Sequence, residues 1–204
     1  REKGILTIVD GAHVPGHIPL EISELDPDVY VGACHKWLCA PKGSSFLYVR
    51  KSIQDKISPL ITSWGVEGTD PSNSTFLLEN QWQGTRDMSA FLAVSKAIEF
   101  QQDNNWSDLT KKSRWLVRET RSRLDDYFEL NHLCPNTEEW LGQMASIEIK
   151  TRDPLKLKNI LLKEFSIEVP IFNWNGKFFL RYSFQVYNNQ KDADLLIYAL
   201  REML

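Results

Sequence analysis

The sequence predicts an α/β fold followed by a smaller α+β unit, and three observations carry that prediction. Short β-branched and aliphatic runs in the first fifty residues end in polar or glycine residues, helical spacing dominates from Met88 to Phe128, and strand and helix patterns alternate again from Met144 onward. With 204 residues, 42% of them hydrophobic, the chain is long enough to bury a sizeable core.

Ile5 to Val9 is a near-continuous apolar run ending in Asp10-Gly11, the pattern of a strand buried on both faces in a parallel sheet, whose carboxyl end carries ligands. A Pro/Gly-rich turn and a short helix near Leu20 to Leu25 lead to a second strand, Asp28 to Ala33, which ends at Cys34-His35-Lys36. The segment from Ala40 to Ser44 is a turn, and Ser45 to Arg50 a third strand. All three read as sheet edges that deliver polar groups to one rim. From Ser58 to Gln83 the sequence is irregular, with Gly65, Gly68 and Pro71, and long loops of this kind are often functional. Met88 to Glu99 predicts a helix apolar on most sides and therefore well buried. A second helix, about Ser107 to Phe128, sets Leu109, Leu116 and Leu124 on one face and leads out of the first domain, which ends near residue 105. In the small unit, Met144 to Ile149, Ile167 to Phe172 and Phe178 to Phe184 read as strands and Pro154 to Phe165 as a helix. A last helix starts at Asn189 with Asp192 as capping partner and an apolar face of Leu195, Leu196, Ala199, Leu200 and Met203.

Composition narrows the function. The 24 basic and 27 acidic residues leave a net charge of -3, so no overall cationic field draws the chain to nucleic acid or an anionic membrane. No apolar run approaches the roughly 20 residues of a spanning helix. The three cysteines, Cys34, Cys39 and Cys134, form neither a disulfide framework nor a zinc motif and suit a reducing cytoplasm. The chain opens on Arg1-Glu2-Lys3-Gly4, with neither an initiator Met nor a signal peptide, and reads as starting inside a longer protein.

The chemistry concentrates at strand ends. Asp10 stands where the first strand meets solvent, and Lys36 follows the second after a crossover of βαβ length, so both project from one rim. An amine able to form a Schiff base and a carboxylate able to keep a pyridinium nitrogen protonated suit pyridoxal phosphate. Taken singly, Asp10 is a turn former, Lys36 a solvated lysine and His13 a structural histidine at a Gly-Ala turn.

Val9-Asp10-Gly11-Ala12-His13, Gly32-Ala33-Cys34-His35-Lys36-Trp37-Leu38-Cys39-Ala40-Pro41-Lys42-Gly43, Gln83-Gly84-Thr85-Arg86-Asp87 and Leu180 to Asn188, in this order and spacing, resemble class V aminotransferase-type, fold-type I pyridoxal phosphate enzymes. Within that class the chain is most similar to the isopenicillin N epimerase-like group. The resemblance implies the C-terminal part of an aspartate aminotransferase-like large domain over 1–105 and a linking helix plus small α+β domain over 106–204. The preceding part would supply the ring-stacking side chain and a glycine-rich phosphate site. The resemblance makes Lys36 the Schiff-base lysine and proton carrier, Asp10 the partner of the pyridine nitrogen, and His13 the neighbour of the phenolic oxygen. His35 approaches the phosphate or buttresses the lysine. Gly84 and Thr85 serve the phosphate from the partner subunit of a homodimer, and Arg181 binds the α-carboxylate of an amino-acid substrate, as a guanidinium fork can.

Two departures set the chain apart from the desulfurases. Ala33 stands where those relatives carry a phosphate-binding Ser, and Cys134 lacks the Ser-x-Cys context of a persulfide nucleophile. Trp37, Trp64 and Trp82 are candidates to line the pocket or simply to pack. The implied activity is epimerisation at Cα, for which Lys36 serves one face and no residue stands out for the other. The alternatives are β-elimination by a C–S lyase, or a fragment that performs no catalysis.

Overall fold

The computed structural model describes residues 3–68 and 74–204, so Arg1, Glu2 and the part of the irregular segment around Pro71 lie outside the described residues. The chain forms two compact units, Arg1–Gln102 and Asp103–Leu204.

In the first unit, β1 (Ile8–Asp10), α1 (Ile22–Leu25) and β2 (Val29–Ala33) make a crossover between parallel strands, and β3 (Ser45–Val49) pairs antiparallel with β2. The sheet order is β1-β2-β3. Asp28 secures the start of β2, its carboxylate accepting from Thr7 N–H at 2.8 Å and from Arg50 Nε at 3.0 Å.

Four expectations need correction here. The first strand is shorter than its apolar run and is not buried on both faces: it is an edge strand, and Ile8 is 72% exposed. A continuous apolar run marks a strand suited to burial, but burial itself depends on what packs against the strand. Because β3 runs against β2, it begins at the rim where β1 and β2 end, and its own end, Val49, points away from it. The irregular segment contains a helix, α2 (Thr75–Gln81), capped by Ser74, whose hydroxyl accepts from Leu77 N–H at 3.1 Å. The predicted Met88–Glu99 helix is divided into α3 (Ser89–Leu92) and α4 (Val94–Asp103), with no buried residue in either. Leu92 is 76% exposed. The buried cluster of this unit is small: Val29, Val49 and Ile53, with Ile57 and Phe76 against it.

The second unit opens with α5 (Trp106–Asp125), followed by β4 (Met144–Ile149), α6 (Pro154–Phe165), β5 (Ile171–Trp174), β6 (Lys177–Ser183) and α7 (Gln190–Met203). The antiparallel sheet has the order β4-β6-β5. Here β4 and α6 match their predicted bounds, whereas β5 starts at Ile171 rather than Ile167. The strand register is set by the turn at Asn175 and Gly176, both with positive φ, which pairs Trp174 with Lys177. Asn189 caps α7 in a reciprocal box with Asp192. The inward face of α7 is Ala193, Leu196, Ile197, Ala199 and Leu200, while Leu195 and Met203 are exposed. These residues join Leu116, Leu124, Ile147, Leu161 and Leu180 in one continuous core. Among the described residues no helix is long and apolar enough to cross a membrane.

Candidate active site

Parallel pairing of β1 with β2 brings their carboxyl ends to one rim. Asp10 is the last residue of β1 and stands opposite Val31, and Gly11 N–H donates to the Val31 carbonyl at 2.9 Å. The exposed Asp10 carboxylate accepts Ala12 N–H at 3.0 Å, which aims it along the turn that follows the strand.

Lys36 lies three positions beyond Ala33, the end of β2, in a loop with several internal bonds. Cys34 N–H donates to the Ser44 carbonyl at 3.1 Å, Ala40 N–H to the Cys34 carbonyl at 3.0 Å, and Cys39 N–H to the Lys36 carbonyl at 3.2 Å. Cys39 adopts a left-handed backbone, φ 63°, to close this turn. The Lys36 side chain is exposed. A firm backbone under an exposed amine is what a lysine that attacks a carbonyl carbon requires, because the amine must be both reachable and aimed.

His13 meets this loop directly. Trp37 Nε1–H donates to His13 Nδ1 at 3.1 Å, and the buried His17 ring stacks on the Trp37 indole with centroids 4.4 Å apart. His17 Nδ1 donates to the His13 carbonyl at 2.9 Å. Gln101 of α4 donates to the Trp37 carbonyl at 2.9 Å. Gly16, φ +76°, lets the two turns touch, since a Cβ there would lie 2.6 Å from Leu38 backbone atoms.

Tyr30 lies beneath the rim. A Cβ at Gly11 would fall 2.0 Å from its hydroxyl, which is buried with no hydrogen-bond partner among the described residues. Burial, and to a lesser extent the charge of Asp10, pushes the Tyr30 pKa up, so it stays a neutral donor beside the carboxylate.

His35 Nδ1 donates to the Ser44 carbonyl at 3.1 Å, which ties its ring to the turn that closes the lysine loop. Gly84 and Thr85 lie in an exposed loop, Gly84 at φ +86°, and no hydrogen bond among the described residues links either to the Asp10 rim. Next to them Arg86 covers the Phe91 ring at 5.0 Å, and hydrogen bonds from Ser89 hold the Asp87 carboxyl below its usual range. Trp64 and Trp82 are exposed, unlike Trp37.

Arg181, in the second unit, lies mid-strand in β6 opposite Ser146. Its neighbours Leu180 and Tyr182 face the core. The buried Arg181 Nε has no hydrogen-bond partner among the described residues, and the side chain lines a cleft of about 230 Å³ with Ser183, Asn188 and Asp192. A guanidinium donor desolvated and left over beside a cleft suits a carboxylate ligand. Cys134 is half-buried, its Sγ 3.6 Å from Nη1 of the buried Arg121, whose Nε and Nη2 donate to His132 Nδ1 and to the Cys134 carbonyl.

Sequence reasoning left Trp37 undecided between pocket and packing and did not single out His17 or Tyr30. The spacing of His13 and His17 four apart in a Gly/Pro turn was the available signal. The donor set at the rim, an amine, a carboxylate and an imidazole with one nitrogen occupied by an indole N–H, fits the carbonyl carbon, ring nitrogen and phenolic oxygen of pyridoxal phosphate.

The family model for class-V aminotransferases matches residues 1–196. Isopenicillin N epimerase from Amycolatopsis lactamdurans is 34% identical over 213 residues, covering 100% of this chain and 54% of that protein. A probable chloroplastic L-cysteine desulfhydrase from Arabidopsis thaliana is 30% identical, over 100% of this chain and 46% of its own. Among solved structures, the apo cysteine desulfurase of Thermococcus onnurineus superposes with a TM-score of 0.80 at 20% identity, covering 99% of this chain and 53% of that one, which shows the fold. The chain spans about half the length of the curated relatives it matches.

Proposed function

Because the chain belongs to the class-V aminotransferase family, a pyridoxal-phosphate-dependent family, we propose that it carries the lysine-bearing part of an enzyme that epimerises an amino acid at Cα. The observation that carries this reading is the meeting of Asp10, His13 and the Lys36 loop at the carboxyl ends of two adjacent parallel strands. The 34% identity to an isopenicillin N epimerase supports the reaction type.

When bound, the cofactor supplies an electron sink for the pair left at Cα as its C–H bond breaks. The work of this chain is binding, aiming and proton transfer. Lys36 Nζ, on its bonded loop, anchors the cofactor and then accepts the α-proton on one face of the substrate. The Asp10 carboxylate holds a proton at the pyridine nitrogen, which keeps the ring electron-poor. Arg181 binds the α-carboxylate with its spare N–H. Gly84 and Thr85 serve the phosphate of a partner subunit in a cytoplasmic homodimer. Inversion needs a return of the proton on the opposite face, so solvent hydrogen enters the product while the substrate skeleton is conserved.

A second reading, β-elimination by a C–S lyase, is favoured by the desulfhydrase relative. It shares the first proton transfer and differs in the loss of a group from Cβ. A persulfide mechanism finds less support, since the only cysteine of the second unit rests against Arg121.

The test uses the full-length protein loaded with pyridoxal phosphate, in deuterium oxide, with single enantiomers of candidate amino acids. Deuterium at Cα with inversion and no loss of total amino acid is expected, and Lys36→Ala should reduce turnover at least about a thousandfold, on the order of the loss of a covalent and acid/base group. Pyruvate and ammonia would move the assignment to the lyase. A cofactor absorbance that is absent, or unchanged by Lys36→Ala, overturns both and leaves a chain without catalysis.

A further inference from the structure

We propose that Trp37 and His17 are positioning residues that set the tautomer and tilt of His13, so that the imidazole presents an N–H, not a lone pair, to the phenolic oxygen of the cofactor. The inference rests on the functional reading above and adds to it the pair of residues that makes His13 a donor.

An indole N–H can only donate, so His13 Nδ1, 3.1 Å from Trp37 Nε1, must be the acceptor, and the proton of the neutral ring sits on Nε2. The other tautomer would oppose two N–H groups at that distance. The His13 carbonyl can only accept, so the proton of His17 that faces it is on Nδ1. Side chain and backbone of residue 13 are thereby held by two different partners.

Trp37 is itself constrained beyond what packing asks. It is 8% exposed, stacked on His17 at an interplanar angle of 21°, and held at its carbonyl by Gln101. Its Cα directly follows that of Lys36, so the clamp that orders His13 also orders the backbone from which the amine departs. A phenolate-like oxygen accepts hydrogen bonds and repels a lone pair. The tautomer therefore decides whether His13 holds the cofactor ring or pushes it away, and a tryptophan at this position selects the holding form.

The test is long-range proton–nitrogen NMR on the full-length protein with ring-labelled histidine, first without cofactor and then with it. The expected result is a single His13 tautomer, protonated at Nε2, already present without cofactor. Trp37→Phe keeps an aromatic ring to stack on His17 and removes the N–H together with part of the ring volume. It should give a mixture of His13 tautomers and pyridoxal phosphate retention weaker by about fivefold, the typical worth of one hydrogen bond, with a shifted cofactor absorbance and Lys36 still attached. His17→Phe, which keeps the stack and loses the bond to the backbone, should loosen the His13 ring signals to a smaller degree.

A proton on Nδ1 in the unaltered protein, or a Trp37→Phe variant with the same tautomer and the same retention, overturns the proposal. The first of these is read on the unaltered protein and stands even if a variant fails to fold. Failure of the functional reading looks different: no form takes up cofactor, and the role assigned to the ring N–H falls with it.

Discussion

Asp103–Leu204 packs α5, α6 and α7 with the β4-β6-β5 sheet over a continuous apolar core, whereas among the described residues of Arg1–Gln102 the buried cluster is the small set Val29, Val49 and Ile53. The first unit is not short of apolar residues. Ile8, Val31, Leu47, Trp64 and Leu92 are simply exposed. Its order comes from turns, from the Asp28–Arg50 pair and from the clamp of Trp37 between His17 and Gln101. The lesson is a division of labour: the unit that carries the lysine spends its hydrogen bonds on aiming side chains at a rim, and the other spends its side chains on a core.

The largest expected effect separates the two units by truncation of apolar side chains. Leu161, fully buried in the second unit, should lose about 2–5 kcal/mol of stability on Leu161→Ala, the range for a cavity-forming change. Leu92→Ala in the first unit should fall within about 0.5 kcal/mol, as at other exposed sites. Urea unfolding of the full-length protein measures both, and equal losses would erase the contrast.

A smaller effect sharpens it from within the second unit. Asn189→Ala removes the side chain that accepts Lys191 N–H at 2.9 Å and breaks the capping box of α7, at a cost of about 1 kcal/mol. Thermal unfolding should register this, with Asn189→Asp close to the unaltered protein.

The smallest effect is electrostatic. A hydrogen bond from Lys177 holds the Glu148 carboxyl below its usual range, and one from Arg123 does the same for Asp194. A carboxyl depressed on folding adds stability above its unfolded pKa, and that stability is lost as the pH falls through the depressed folded value. Mild acid should therefore lower the melting temperature slightly, and Lys177→Ala should flatten part of that slope. Both pairs are solvent-screened, so added salt should act in the same direction as the variant.

Much of this was legible in the chain itself. The bounds of β4 and α6, the capping box of α7, and the strand endings at Asp10 and Ala33 are local facts, written as periodicity, caps and turn residues within a few positions of one another. The rim followed from them, because a crossover between parallel strands brings consecutive carboxyl ends together. The motifs around Asp10, Lys36, Gly84 and Arg181 carried the family for the same reason. Where the reading erred, the missing information was non-local. Ile5 to Val9 and Met88 to Glu99 read as buried, yet burial depends on what lies against an element, and no pattern within the element records that.

By itself, then, the sequence determined the order and kind of most elements, the placing of Asp10 and Lys36 at adjacent strand ends, and the family. Only the tertiary structure decided that Trp37 closes on His13 across 24 positions, that Arg121 is buried against Cys134 and His132, and that Arg181 keeps an unpartnered Nε beside a cleft. The physical reason is one of range. Backbone preferences act over a few residues, while hydrogen bonds and packing act wherever the folded chain brings two groups within reach.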